Sequence, residues 1–256
     1  MCRVDLPGYS SPLSPAQASA DRLPIISCVS CGLIPRADWD GVPGAAISLI
    51  ESRKSVRRED KGTVLFQQGD PPEYLYRLLA GIVLLRKVDH EGNGIATHLI
   101  VPGETFGFRA FVEDSPHTVT AQCASDVVVC RVPVSVARQT FSANLALKRV
   151  FARHVAVELR HAEDALLGMA DLPVRERILR IFVRFARLFG TKDEKGVCRF
   201  PLPVLRSDIA ALTGIARESF SRRISGIEAE GLLRLDGNMV VIDDLERVEE
   251  VLASSR

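Results

Sequence analysis

The chain has no uncharged apolar run long enough to span a bilayer, so a transmembrane helix is not expected. Its N-terminus lacks a basic segment followed by an apolar one, so export is not expected and a cytoplasmic location is. Cysteine is scarce. Six in 256 residues are too few for a disulfide scaffold, and in a reducing compartment they are free thiols, metal ligands or redox sensors. There is no His-x-His pair, which argues against a mononuclear metal enzyme on a β-barrel. No nucleophile lies beside a plausible base, so no catalysis is expected. Neither sign of charge dominates: 33 Lys+Arg stand against 32 Asp+Glu, which excludes a histone-like chain or an acidic tail but not a local patch. No internal repeat of solenoid length is found.

What is present is a folding composition, 46% apolar and 25% charged, and it changes texture along the chain. Residues 1–24 scatter Pro7, Pro12, Pro15 and Pro24 among Ser, Ala and Gly, and read as unstructured. A short helix is expected over 44–54. From Gly62 to Pro133, apolar runs at 63–66, 74–79, 82–88, 95–101, 118–123 and 127–132 alternate with turn residues, which predicts an all-β barrel or sandwich. Hairpin turns fit Asp89-His90-Glu91-Gly92 and Ser125-Asp126.

After Pro133 the pattern becomes helical. Ala152, Val155, Leu159, Ala162, Leu166 and Met169 are spaced three and four apart, a heptad seam flanked by charges. Such a seam suits pairing with a second copy of the chain; packing on its own barrel is the alternative. Asp171-Leu-Pro173 ends this helix, because proline cannot continue it. Beyond it, Ile178, Ile181, Phe182, Phe185 and Leu188 share one helical face. A polar loop is expected at 190–196. The chain closes on apolar runs at 232–235 and 239–242 around Asp236-Gly237-Asn238, read as a two-stranded hairpin.

Charge is segregated in the C-terminal part. Residues 173–226 hold 12 basic and 5 acidic side chains, a net +7, and residues 227–256 hold 3 and 8, a net −5. Within the basic stretch, Ile209, Ala210 and Leu212 give the inner face of one helix. Gly214 suits a positive-φ turn, and Ile215 and Phe220 anchor a second helix from about Ala216. This is helix-turn-helix spacing, and the hairpin behind it makes a winged helix. The second helix exposes Arg217, Glu218, Ser221 and Arg222. Arginine can donate two bonds to guanine, and a carboxylate can accept from cytosine.

Several segments together resemble the CRP/FNR superfamily of bacterial transcription regulators: Lys61-Gly-Thr-Val-Leu-Phe-Gln-Gln-Gly-Asp70, Leu79-Ala-Gly-Ile-Val83, Pro102-Gly-Glu-Thr-Phe-Gly-Phe108 and Arg217-Glu-Ser-Phe-Ser-Arg222. The resemblance covers about residues 45–250. It implies an α+β chain: a flexible segment over 1–44, a cyclic-nucleotide-domain-like β-roll (jelly roll) sensor over 45–142, a dimerisation helix over 143–170, and a winged helix-turn-helix over 171–256. On it, Val155, Leu159, Ala162, Leu166 and Met169 are the homodimer interface. Arg217, Glu218, Ser221 and Arg222 are the DNA-binding residues, on a palindrome with TTGAT- or TGTGA-like half-sites. Contact with RNA polymerase is also implied.

The branch matters for the signal. Where cyclic-AMP receptors carry an Arg-Ser pair for the phosphate, the resemblance places His117 and Thr118, and no arginine lies between Arg109 and Arg131. A buried phosphate would lack its cation, so cyclic-nucleotide control is not expected. Cys28-x-x-Cys31 and Cys130, in Cys130-Arg-Val-Pro133, resemble the ligands of the 4Fe-4S iron–sulfur cluster of the FNR branch. The third N-terminal cysteine of that pattern is missing, its place falling near Ala37. Cys2 is preferred as the fourth ligand. Asp38, Asp40 or Cys123 are the alternatives, Cys123 on condition that it shares a sheet face with Cys130. Otherwise Cys123 and Cys198 read as small buried hydrophobes. The competing signals are thiol oxidation, zinc at the same cysteines, haem with nitric oxide or carbon monoxide through His90, His98, His117, His154 or His161, or no signal.

Overall fold

The computed structural model describes residues 41–88 and 94–254. The chain divides into two compact units, one ending at Glu158 and the other beginning at Leu159. The expectations for 1–40, with Cys2, Cys28, Cys31, Asp38 and Asp40, and for the turn at His90, lie outside the described residues.

The first unit begins with α1 (Gly44–Arg53), β1 (Ser55–Glu59), β2 (Val64–Phe66), β3 (Tyr74–Ala80), β4 (Val83–Val88) and β5 (Gly94–Ile100). It continues with β6 (Thr105–Phe106), α2 (Phe108–Glu113), β7 (Thr120–Cys123), β8 (Val127–Pro133) and α3 (Val134–Ser142). The strands form two antiparallel sheets in the orders β1-β8-β3-β6 and β2-β7-β4-β5. Between them lie Phe66, Tyr76, Leu78, Val83, Leu85, Ile100, Phe106, Ala121, Cys123, Val127 and Val129.

The period of two explains how β3 is buried on both faces from Leu75 to Leu79. Tyr76 and Leu78 point between the sheets, while Leu75 turns to the other face and packs with Phe108 and Ala137 beneath Phe111, Phe141 and Phe151. Ile50 of α1 and Val136 of α3 cluster with Val42 and Leu147, and Val132 of β8 packs against them. Gly81 makes the β3–β4 turn at φ +85°, where a Cβ would lie 2.2 Å from the Asp126 carbonyl oxygen, so only glycine fits.

Helix α4 (Leu145–Asp171) runs 27 residues and crosses the division between the units. Asn144 starts it: its Oδ1 accepts from the backbone N–H groups of Ala146 and Leu147, at 2.9 and 3.2 Å. Pro173 ends it and begins α5 (Val174–Phe189). No helix among the described residues is long and apolar enough to cross a membrane.

In the second unit, α5 buries Ile178, Leu179, Phe182, Val183, Phe185 and Ala186. Then follow β9 (Thr191–Lys192), β10 (Cys198–Pro201), α6 (Arg206–Leu212), α7 (Arg217–Ala229), β11 (Arg234–Asp236), β12 (Met239–Ile242) and α8 (Leu245–Ser254).

The structure corrects two expectations. β11 and β12 form the expected hairpin, and β12 also pairs with β10, giving a four-stranded sheet β11-β12-β10-β9 in which part of the expected polar loop is strand β9. Cys123 and Cys130 do not share a sheet face. Cys123 is on β7 in the second roll sheet and points into the core. Cys130 is on β8 in the first sheet, one residue out of phase with the inward-facing Val127 and Val129. The connection at Ser125-Asp126 passes between sheets, with Ser125 Oγ accepting from the N–H of Ile82 at 3.0 Å.

Candidate nucleic-acid interface

Helices α6 and α7 meet through side chains that the local sequence dictates. Ile209, Ala210, Phe220, Ile224 and Ile227 are all buried, and Ala210 is small enough for close crossing. The Thr213 hydroxyl donates back to the carbonyls of Ile209 and Ala210 at 2.8 and 3.0 Å. Gly214 then takes φ +70°, and Ile215 N–H returns to the Ala210 carbonyl at 3.0 Å. At 100° per residue, Phe220, Ile224 and Ile227 occupy one side of α7, and Arg217, Glu218, Ser221 and Arg222 fan across an adjoining arc. All four are exposed. Arg223, not singled out in the sequence reading, is exposed on the opposite flank.

The rest of the unit holds this helix in place. The backbone N–H of Leu235, on β11, donates to Glu228 Oε1 of α7 at 2.8 Å. Arg206, at the start of α6, donates to the carbonyl of Gly237 in the wing turn at 3.0 Å. Asp208 is buried and accepts from the N–H of Leu205 at 3.3 Å, closing the first turn of α6.

The segregated charges prove to be partners in space. Arg175 pairs with Glu230, and Arg187 with Glu249 at 2.9 Å, so acids of the last segment neutralise part of the basic stretch. Arg199 pairs with Asp193 and Arg234 with Asp243. Arg217, Arg222 and Arg223 make no ion pair with another described residue, so these positive charges on the exposed surface of α7 are not compensated by one. Such a face attracts phosphate, and its side chains keep their hydrogen-bonding capacity.

On α4, Val155, Leu159, Leu166 and Met169 are 39, 60, 68 and 45% exposed in the single chain, and Ala162 is exposed as well.

In the roll, His117 is buried and its ring stacks on Phe66, centroids 3.8 Å apart at 13°. Phe66 also touches Tyr76 and Phe106, so aromatic rings fill the space between the sheets beside it. Among the described residues, no three His, Cys, Asp or Glu side chains converge as a metal site. Of the three described cysteines, Cys123 and Cys198 are buried and Cys130 is half-buried. Burial, with Glu59 and Asp126 adding to it, pushes the Cys123 thiol up to about 12, and its side chain lies within the core between the sheets. Cys130 lies on the face away from that core. His98 lies on β5, and His154 and His161 lie on α4.

A β-roll followed by a long helix and a winged helix-turn-helix, with a basic recognition face, defines a DNA-binding transcription regulator. The profile of the cyclic nucleotide-binding domain matches residues 56–144, and that of the Crp-like helix-turn-helix domain matches residues 176–251. Together they span well over half of the chain, which belongs to the CRP/FNR superfamily of transcription regulators. The chain is 23% identical over 209 residues to the Anaerobic regulatory protein of Pasteurella multocida, covering 82% of this chain and 75% of that one. It is 24% identical over 210 residues to the CRP-like cAMP-activated global transcriptional regulator of Mycobacterium tuberculosis, covering 82% and 93%. Among solved structures, FixK2 from Bradyrhizobium japonicum is 25% identical with a TM-score of 0.65, covering 77% of this chain and 96% of that one. A CRP/FNR-family regulator from Thermus thermophilus shares the fold at 23% identity and TM-score 0.65, covering 79% and 100%.

Proposed function

We propose that this regulator acts in the cytoplasm as a homodimer that binds a palindromic operator and responds to oxygen or redox state. The observation that carries the DNA half of the reading is the uncompensated face of α7. Arg222 and Glu218 would read the GA element common to TTGAT- and TGTGA-type half-sites, with Ser221 beside them and Arg217 accepting a guanine before it. The exposed apolar stripe of Val155, Leu159, Ala162, Leu166 and Met169 supports pairing of two α4 helices. Pairing would present two recognition helices about 34 Å apart, one turn of the duplex. Contact with RNA polymerase would follow the family.

The signal half rests on cysteine. The half-buried Cys130, with Cys28, Cys31 and Cys2 from the N-terminal segment, would hold a 4Fe-4S cluster, which when bound supplies oxygen-labile redox chemistry. Relatives point both ways, since one is named an anaerobic regulator and another cAMP-activated. The Phe66–His117 stack favours the first. It occupies the place where a cyclic-nucleotide phosphate would need a cation, and the pairing His117–Phe66 offers an apolar surface instead.

A second reading is thiol oxidation at Cys130 without a cluster. It is favoured by the register, which sets the cation of Arg77 directly across from Cys130 on the same face. Anaerobic purification separates the two. Iron, inorganic sulfide and a brown chromophore, with operator binding lost on exposure to air, support the cluster. Metal-free protein whose operator binding follows the oxidation of Cys130 supports the thiol. Protein that stays monomeric and ignores palindromes with and without air overturns both.

A further inference from the structure

Glu59 on β1 and Arg131 on β8 line one cleft of about 110 Å3 where the two roll sheets meet along their β1 and β2 edges. Thr63 and Leu65 form its other wall, and Tyr76 and Val129 its floor. The strand register explains the convergence. Ser55 pairs with Arg131 and Glu59 with Val127, so Glu59, Arg131 and the core residue Val129 all lie on the inward side of neighbouring strands.

The charges do not satisfy each other. Arg131 Nε donates to Ser55 Oγ at 2.9 Å, and its guanidinium carbon lies 4.7 Å from the Tyr74 ring centroid. Neither contact uses the two terminal amino groups of the fork. The Glu59 side chain makes no hydrogen bond or ion pair with another described residue, and both side chains are half-buried. The Tyr76 hydroxyl is already committed, donating to the Leu65 carbonyl at 3.2 Å. Burial holds this phenol up at about 12, with Arg131 acting to lower it and Glu59 to raise it, so both charges reach the same floor.

We propose that this cleft binds a small α-amino acid as its zwitterion, the carboxylate on the Arg131 fork and the ammonium on Glu59. A simple anion would be opposed by Glu59 and a simple cation by Arg131. A molecule carrying both charges satisfies each group with a charge-assisted hydrogen bond. Size sets a limit as well. A cleft of about 110 Å3 suits a small amino acid such as alanine or serine. The bound ligand would bridge β1 to β8, the strand that carries Cys130. Because both charges are partly solvated, affinity on the order of 1 mM is expected.

The test is titration of the full-length protein with L-alanine and L-serine, followed by calorimetry and by backbone NMR shifts in β1 and β8. Acetate and ethylamine serve as one-charge controls. The expected result is saturable binding of the amino acids, about tenfold or more tighter than either control. Glu59→Gln and Arg131→Gln should each weaken it about tenfold or more, with the melting temperature kept. If Arg131→Gln fails to fold, Glu59→Gln, which breaks no contact within the chain, decides alone. Binding of acetate or ethylamine as tight as alanine overturns the proposal, as does unchanged affinity in Glu59→Gln or no saturation up to tens of millimolar. DNA is absent from the measurement, so its failure leaves the operator-binding reading untouched.

Discussion

The imidazole of His117 lies nearly parallel on the ring of Phe66, at 3.8 Å between centroids, and its backbone is clamped at the same point. Its N–H donates to the Asp70 carbonyl at 2.9 Å, and its carbonyl accepts from Gly69 N–H at 2.8 Å. Burial lowers the pKa of this histidine below the usual value, with Asp70 partly opposing. The folded roll therefore favours neutral His117. Stability from this group is fully present above about pH 6.5, the unfolded value, and is lost as pH falls through the lower folded value. Melting temperature should fall as pH is lowered from about 6.5 towards that folded value, and His117→Gln, which cannot titrate, should flatten that slope. Equal slopes in the two proteins would show that His117 is not the group responsible.

Arg175 and Glu230 join the first turn of α5 to the residue that caps α7. Arg175 Nε lies 3.1 and 3.0 Å from the two carboxylate oxygens, and its Nη1 reaches Glu176 at 3.3 Å. The next arginine on that turn, Arg177, donates to the Met169 carbonyl in the last turn of α4 at 2.7 Å. The hydrogen bond from Arg175 holds the Glu230 carboxyl below its ordinary range, so its stabilisation is present at neutral pH and is lost in acid, as pH falls through that lowered value. The Glu230 side chain is 46% exposed, and a double-mutant cycle of Arg175→Ala and Glu230→Ala should give a coupling of only about 0.2–1 kcal/mol. A larger coupling, followed by denaturant unfolding, would mean the pair is shielded from solvent.

Which features could be read from the chain depends on the range of the forces that make them. The alternation of β3, β4, β5, β7 and β8 and the crossing of α6 on α7 are local, and their residues announce them. β1 is not readable in this way. Its sequence, Ser-Val-Arg-Arg-Glu, carries three charges in five residues, and it is a strand because β8 pairs with it across some 70 positions of chain. β10 likewise exists through β12. The placement of Cys123 and Cys130 needed the sheet assignment, since strand parity alone does not say that consecutive strands belong to different sheets. The segregated charge was legible as a count, but not that Arg175 and Arg187 spend theirs on Glu230 and Glu249. α8 carries a local signal as well: Asp244 Oδ1 accepts from Arg247 N–H at 2.9 Å, an N-terminal cap ahead of an apolar-periodic run.

The exposed arc of α7 separates sequence reading from simple charge attraction. Arg217→Ala, Glu218→Gln and Arg222→Ala should each cost about 1–3 kcal/mol against the preferred half-site and much less against half-sites altered at the matching base. Arg223→Ala, on the other flank, should weaken all sites alike and lower the salt dependence, as loss of a phosphate contact does. Fluorescence anisotropy over a panel of half-site variants at several salt concentrations measures both. If Arg217→Ala binds every variant with unchanged preference, Arg217 reads no base.

Leu159 and Leu166, 60 and 68% exposed, are the side chains on which helix pairing would turn. Leu159→Glu places a carboxylate at the seam, and in a two-fold pair it faces its own copy, adding like-charge repulsion to the lost apolar contact. In the single chain Leu159 is largely in water, so the substitution removes little burial and each unit should keep its fold. The expected outcome is therefore a change in assembly without a change in folding: sedimentation shifts from dimer to monomer, the circular dichroism spectrum is kept, and affinity for a full palindrome collapses toward that for a single half-site. Leu166→Glu should act the same way, while Leu205→Glu, equally exposed at the start of α6 but off the seam, should leave the dimer intact. A dimer that survives both seam substitutions would place the interface elsewhere on the chain.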